Sequence, residues 1–338
     1  MSEQSREAVL AVLRAAGGRW VSGEELSRSL GVSRTAVWKL IEGLRAAGYV
    51  LEALPRQGYR LLASPDAVTA AEVLPGLATR TFGRTMEYRE SVGSTNDLAK
   101  QLARGGAPEG LLVIADEQTA GKGRLGRAWS TPRGSALAMS LVLRPQLPPV
   151  QAPRITLVAA VAVALAVREV TGLQAGIKWP NDLQFGGRKF CGILTEMEAE
   201  MERVGFVICG MGLNVNLPSE ALPEAFRETA TSLMAERGAP VARAPLVRAV
   251  MARFEENYGD LVAGRFDAVL DRWRALSITL GQPVRVISVT GEPALEGTAV
   301  DVDEEGALLV RESATGKLRR VFAGEVTLRP ATAPSPAS

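Results

Sequence analysis

A chain of 338 residues, 46% apolar and 22% charged, is long enough for two or three domains that each bury a core. Its formal net charge is only +2, so affinity for nucleic acid or phosphate must come from local patches. There is no histidine, and the two cysteines are Cys191 and Cys209; this excludes histidine metal sites, Ser-His and Cys-His nucleophile pairs and a disulfide framework, and suits a reducing, cytoplasmic setting.

Val9, Leu10, Val12 and Leu13 recur at helical spacing in residues 6–16. Ser22, with Glu25 three residues on, makes a capping box for a second helix that Gly31 ends. Ser33 caps a third helix over 34–47, which Gly48 stops. Short strands at 49–54 and 59–62 flank the turn Pro55-Arg56-Gln57-Gly58. Residues 1–63 therefore read as a winged helix-turn-helix. Ser33, Arg34, Thr35 and Lys39 at the start of the third helix, with Arg56 in the wing, are donors suited to phosphates and base edges. Trp38, Leu40, Ile41 and Leu44 are assigned to the core. Nine Lys/Arg against six Asp/Glu give the segment a local +3, favouring DNA over the alternative of a protein-interaction or dimerisation module. Residues 64–80, with Pro65 and Pro75, read as a linker and short helix.

The chemistry lies in residues 81–277. Strands at 111–115 and 136–143 enclose the run Gly121-Lys-Gly-Arg-Leu-Gly-Arg-Ala-Trp129. Its glycines let backbone amides approach an anion while Lys122, Arg124 and Arg127 supply charge, as a phosphate or adenylate requires. The match to G-x-G-x-x-G is not a dinucleotide turn, because Pro132 and Gly134 prevent a helix from opening there. Residues 155–167 form an apolar run of 13 between Arg154 and Arg168, below the ~20 needed to span a membrane, and are expected as a buried helix without membrane contact. Further strands at 175–178, 188–198 and 204–211, a hairpin about Gly186-Gly187, and helices at 246–264 and 266–277 predict a mixed, mainly antiparallel sheet with helices on one face. Ser94-Thr95-Asn96 precedes a helical run at 97–104, and taken alone it reads first as an ordinary N-cap rather than as a binding motif. Lys178 and Lys189 flank the Gly-Gly hairpin, and a strand bending back there brings Lys189 into the cleft of Arg124. Taken singly, each of these cations reads as a solvated surface charge. Four short strands at 283–287, 296–302, 307–311 and 317–322 fit a small barrel over 278–330, and the Pro/Ser/Ala-rich tail 331–338 reads as disordered. The class is α+β, multidomain.

The basic loop 121–129, Lys178-Trp-Pro-Asn-Asp182, Arg188-Lys-Phe-Cys-Gly-Ile-Leu194 and Gly210-Met-Gly-Leu-Asn-Val-Asn216 occur in that order after Ser94-Thr95-Asn96. Together they resemble the motif set of biotin protein ligases, and the winged helix resembles that of the bifunctional ligases that also repress the biotin operon. The resemblance spans roughly residues 5–329 and implies a ligase domain in the middle and an SH3-like domain at the C-terminus. It implies that biotin and MgATP give biotinyl-5′-adenylate and pyrophosphate, after which a lysine of a carboxylase's biotin carrier domain attacks the adenylate. By the same resemblance Ser94, Thr95, Asn96 and Gln118 bind biotin, and Lys122, Gly123 and Arg124 fold over it. Arg124 restrains the anhydride and Lys189 neutralises charge at carboxylate and α-phosphate, which makes these two the catalytic pair. Arg127, Trp129, Lys178 and Asn214 lie towards the nucleotide. The chemistry agrees: a ureido ring needs neutral hydrogen-bond partners, and a carboxylate attacking a polyanion needs cations but no histidine base. Lys122 stands where the family's loop often has arginine. In 218–232, where some relatives place an aromatic against adenine, the aromatic is Phe226, and the stacking residue is left open. An adenylate-bound homodimer on operator DNA is the first expectation; a ligase without a DNA role and a non-catalytic biotin sensor are the alternatives. A lipoate ligase fits the winged helix and basic loop poorly.

Overall fold

The computed structural model describes residues 3–200, 203–222, 224–287, 294–322 and 325–328. The chain divides after Pro75 into two compact units. The first contains helices α1 (Glu3–Ala15), α2 (Gly23–Leu30) and α3 (Arg34–Ala46), the hairpin β1 (Val50–Leu54) with β2 (Gly58–Ala63), and the short α4 (Ala70–Val73). Ser22 accepts from the Glu25 amide at 3.0 Å and Ser33 from the Ala36 amide at 3.2 Å, so both capping signals act as the sequence predicts. Val9, Leu10, Leu13, Leu26, Val37, Leu40, Ile41 and Leu44 are buried together beneath Tyr49 and Leu51. Trp38, assigned to this core for its size and apolarity, lies outside it, with 54% of its surface exposed. The buried stripe of α3 recurs every three or four residues, and Trp38 sits about 100° round the helix from Val37. Within the segment expected as linker, Glu72 of α4 is buried, accepts a hydrogen bond from Tyr49 Oη at 2.5 Å and pairs with Arg14.

The second unit is built on a seven-stranded sheet. Its strands are β3 (Met86–Arg89), β4 (Leu112–Ala115), β5 (Ala136–Leu143), β6 (Gly176–Lys178), β7 (Asp182–Phe185), β8 (Arg188–Glu200) and β9 (Arg203–Asn214), in the order β3-β4-β5-β9-β8-β7-β6. Among the described strands of this sheet only β3 and β4 pair in parallel, so the sheet is mixed and mainly antiparallel. Helix α5 (Thr95–Arg104) lies over one face, its Ala99 and Ala103 packed with Val113, Val142, Phe206 and Ile208. Helix α6 (Pro153–Thr171) touches the sheet through a Thr156–Thr195 hydrogen bond of 2.8 Å and is backed by α8 (Arg243–Val262) and α9 (Phe266–Leu276). Ile155 and Leu157–Ala164 are all buried, which explains why α6 carries the longest apolar run: it is enclosed on every side. A short α7 (Leu233–Arg237) lies between β9 and α8.

The C-terminal strands β10 (Pro283–Ile287), β11 (Leu295–Val302), β12 (Leu308–Glu312), β13 (Leu318–Val321) and β14 (Glu325–Leu328) form a five-stranded antiparallel sheet, ordered β13-β12-β11-β10-β14. Val284, Val286, Ala299, Val302, Leu308 and Val310 fill its inner face. The Trp179 indole is buried and donates to the Gly306 carbonyl at 3.1 Å, so the motif at 178–182 is anchored on this sheet. The tail 331–338 lies outside the described residues.

Candidate active site

The basic loop leaves the sheet after β4 and folds on itself. Gln118 bridges to Thr131, the Trp129 amide donates to the Gly121 carbonyl at 2.9 Å, and the Gly123 amide donates to the Arg127 carbonyl at 2.7 Å. A single tight turn, Arg124–Gly126, makes the tip, with Leu125 exposed in the left-handed region at φ 57°. The loop is thus a narrow flap. It roofs a cleft of about 880 Å³ whose lining includes every ligand-site residue expected from the sequence: Ser94, Thr95, Asn96, Gln118, Lys122, Gly123, Arg124, Arg127, Trp129, Lys178, Lys189 and Asn214.

One end of the cleft is neutral and closely bonded. Gln118 Oε1 accepts from the Thr95 amide at 2.8 Å and from Thr95 Oγ1 at 3.0 Å. The Ser140 hydroxyl lies 2.8 Å from Thr95 Oγ1 and 2.6 Å from Asn96 Oδ1. Asn96 Nδ2 donates to Glu196 at 2.8 Å, and Glu196 is held in turn by Lys100 at 2.7 Å. Asn96 is therefore committed to the wall, where it lies over Gly210: a Cβ on Gly210 would come within 2.2 Å of Asn96 Oδ1. Ser94 occupies the N-cap position of α5, yet its side chain makes no capping bond and instead lines the cleft.

The other end carries charge. Lys189 Nζ is 2.6 Å from Asp182 Oδ1 and 5.4 Å from the centre of the Trp129 ring. Arg124 donates to Asn181 Oδ1 at 3.1 Å, and Asn181 is itself fixed by its Nδ2 on the Ile193 carbonyl at 2.8 Å. Lys122 reaches Asp97 of α5 at 2.7 Å, latching the flap to the helix; that hydrogen bond holds the ammonium pKa above its ordinary value. Asn214 donates to the Thr231 carbonyl at 3.0 Å, and residues 229–231 are tied back to Lys189 by two backbone hydrogen bonds. The hairpin does bend as expected, and it brings Lys189 and Arg124 into one cleft.

Beneath Trp129 the sheet carries glycines. Gly192 and Gly212 are partners across β8 and β9, and a Cβ on Gly212 would meet the Trp129 indole at 2.6 Å. This bare patch is why a large indole can lie flat on the strands. Trp129 Nε1 is buried and has no hydrogen-bond partner among the described residues. An orphaned indole N–H at the edge of a cleft is a donor held for something that is not protein.

The sequence reading did not name Asp182, Asn181, Asp97 and Glu196 as partners of the site cations and amides. The Gly-x-Gly spacing inside a strand was the available signal for the trough. A brace behind the flap was also missed. Arg243, 2% exposed, pairs with Asp116 at 2.8 Å and donates to the Ala136 carbonyl at 3.2 Å, while Tyr88 donates to the other Asp116 oxygen at 2.8 Å. Burial and the Asp116 hydrogen bond push the Tyr88 hydroxyl pKa up. The brace holds the end of β4 and the start of β5, the two strands the flap connects. Cys191 and Cys209 are fully buried; burial pushes the Cys209 thiol up to about 12 and that of Cys191 higher still, so neither is a nucleophile.

In the first unit, Ser33, Arg34, Thr35 and Lys39 are all exposed at the start of α3, and Arg56 is exposed at the hairpin turn with φ 69°. Arg34 is held at 3.1 Å by Glu24 of α2.

Residues 88–214 match the biotin/lipoate A/B protein ligase family, residues 5–60 an HTH domain, and residues 279–329 the biotin protein ligase C terminal domain. The bifunctional ligase/repressor BirA of Bacillus subtilis (strain 168) is 39% identical over 328 residues, 97% of this chain and 100% of its own. The protein of the same name from Escherichia coli (strain K12) is 30% identical, covering 94% of this chain and 95% of its own. Among solved structures, the biotin protein ligase from Aquifex aeolicus in complex with biotin and ATP aligns with a TM-score of 0.62 and 28% identity, over 73% of this chain and 99% of that one.

Proposed function

Since this chain belongs to the biotin protein ligases that also act as repressors, we propose a division of labour along its cleft and between its two units. The chain is an ATP-dependent biotin–[acetyl-CoA-carboxylase] ligase with a repressor's DNA-binding unit. A biotin carboxylate oxygen attacks the α-phosphorus of ATP, the bond to pyrophosphate breaks, and biotinyl-5′-adenylate forms. The amine of a carrier-domain lysine then attacks the acyl carbon, and AMP leaves.

The observation that carries the residue assignments is the polarity of the cleft: neutral, interlocked hydrogen bonds at one end, and cations around a bare glycine trough at the other. Ser94, Thr95 and Gln118 receive the ureido ring, and Asn96 shapes that wall from behind. Lys189 and Arg124 exchange Asp182 and Asn181 for the carboxylate and α-phosphate, whose like charges they offset. Lys122 and Gly123 close the flap, and Arg127, Lys178 and Asn214 lie on the nucleotide side. Trp129 offers its indole face and unused N–H there. Mg2+ fits as an ion carried by the triphosphate: the described residues contain no cluster of three metal-binding side chains, and Asp182 is the acidic residue of the described lining. When bound, it would neutralise phosphate charge.

Adenylate-bound dimers place two α3 helices on an operator, with Ser33, Arg34, Thr35, Lys39 and Arg56 on phosphates and bases. A protein that needs ATP, a carboxylase and DNA, and that keeps both thiols reduced, works in the cytoplasm. The test is biotin-dependent pyrophosphate release with MgATP. Wild type releases it, Lys189→Ala loses it by roughly 100-fold or more, and Arg124→Gly forms adenylate but leaks it free. Tight biotin binding without release would make the chain a sensor rather than a ligase.

A further inference from the structure

Trp38 is the largest exposed apolar side chain of the first unit, and its surroundings make that position informative. It follows Arg34 by four residues and Thr35 by three, and it adjoins Lys39, so it stands on the outward face of α3 among the groups offered to DNA. The inward face is occupied by Val37, Leu40, Ile41 and Leu44. Arg34 is braced by Glu24, Lys39 makes no ion pair among the described residues, and Glu42, one turn on, is engaged by Arg45 at 2.7 Å. Packing within the unit does not require an indole here, since the core is complete without it. An apolar plate ringed by cationic and hydroxyl donors matches a partner surface that alternates acceptors with small apolar groups. The major groove is such a surface only where it contains thymine, whose C5-methyl is the apolar group that a base pair presents there.

We infer that Trp38 reads thymine: its indole lies on C5-methyl groups in the major groove, making operator affinity depend on those methyls. The inference rests on the first unit being the operator-binding one. Arg34, Lys39 and Arg56 supply phosphate and acceptor contacts that set the register of α3, and Trp38 supplies discrimination at the positions it covers.

The full-length chain, with biotin and MgATP, is used to select duplexes from a random-sequence library. The selected duplex is then remade with deoxyuridine replacing thymidine one position at a time. Uracil keeps every hydrogen-bonding group and lacks only the methyl. The expected result is a loss of about fourfold in affinity per methyl removed at one or more thymines. Trp38→Ala binds the parent duplex more weakly and is indifferent to those same replacements, while Trp38→Phe retains part of the discrimination. The exposed position predicts that both variants keep the wild-type thermal melt. Discrimination that survives in Trp38→Ala, or is absent from wild type, overturns the inference. So does a Trp38→Ala chain that loses self-association but keeps its thymine preference, which would place the indole at a protein interface. Failure to select any sequence overturns the operator-binding reading itself.

Discussion

The two ends of the cleft solve opposite problems. At the neutral end Thr95, Gln118, Ser140 and Asn96 form a chain, backed outside the cleft by the Glu196–Lys100 ion pair, in which each group already has a partner within the wall. At the charged end Lys189, Arg124 and Lys122 are held by Asp182, Asn181 and Asp97, groups that an arriving anion can displace. A ring of fixed shape and no charge is best met by a wall that does not move. A triphosphate that gains and loses charge during the reaction is best met by cations kept in place by partners they can release. The difference teaches that the first end supplies preorganisation and the second supplies exchange.

Substitutions can break this contrast. The largest effect is expected from Gly212→Ala, because the new methyl lies within 2.6 Å of the Trp129 indole. Lifting the indole should raise the KM for ATP roughly ten- to hundredfold while leaving biotin binding nearly intact; calorimetric titration of biotin alone separates the two. Gln118→Ala should do the reverse, weakening biotin about tenfold with little change for ATP, since it removes the acceptor that orders Thr95. If either substitution moved both substrates equally, the two ends would not be independent. A third test concerns the sheet beneath both ends. Cys209 and Cys191 have raised folded-state pKa values, so the unfolded chain loses these protons first as pH rises above about 8.5. Stability contributed by the neutral thiols is complete below that pH and falls above it, the Cys209 share being spent by about 12. Urea midpoints across pH 8–10 should decline less steeply in a chain with both cysteines changed to Ala, and iodoacetamide should label wild type only once it unfolds. The smallest effect is expected from Asp97→Asn. The pair with Lys122 is half exposed, so the variant should melt like wild type and change adenylate retention by about twofold or less.

Much of this architecture was legible because it depends on local rules. The caps at Ser22 and Ser33, the stops at Gly31 and Gly48, and the Gly186-Gly187 hairpin all follow from backbone conformations that few residues supply. The motifs placed all the expected lining residues on one cleft. Partnerships across the fold were not legible. Nothing in the spacing of Arg124 and Asn181, or of Lys122 and Asp97, reveals that they meet, because a flap's landing point is set by tertiary structure. Strand β3 was missed because it is only four residues long: Met-Glu-Tyr-Arg alternates apolar and polar, but three of the four are only partly buried and Arg89 is exposed. Trp38 was assigned to the core by its chemistry when its helical phase already placed it outside, and phase should have outweighed apolarity.

The distribution of indoles gives the molecule an optical asymmetry. Of its five tryptophans, Trp179 and Trp273 are sealed in the interior and Trp20 lies against the Arg60 guanidinium at 4.7 Å. Trp129 lies in the cleft beside the Lys189 ammonium, and Trp38 stands in water on α3. Emission from the sealed pair should stay blue and constant. The red-edge component should divide between a chromophore that responds when the flap's trough is filled and one that responds when DNA approaches. With Trp20 replaced by Phe, quenching recorded in a single cuvette should follow metabolite loading and promoter occupancy as two separate signals from one unlabelled chain.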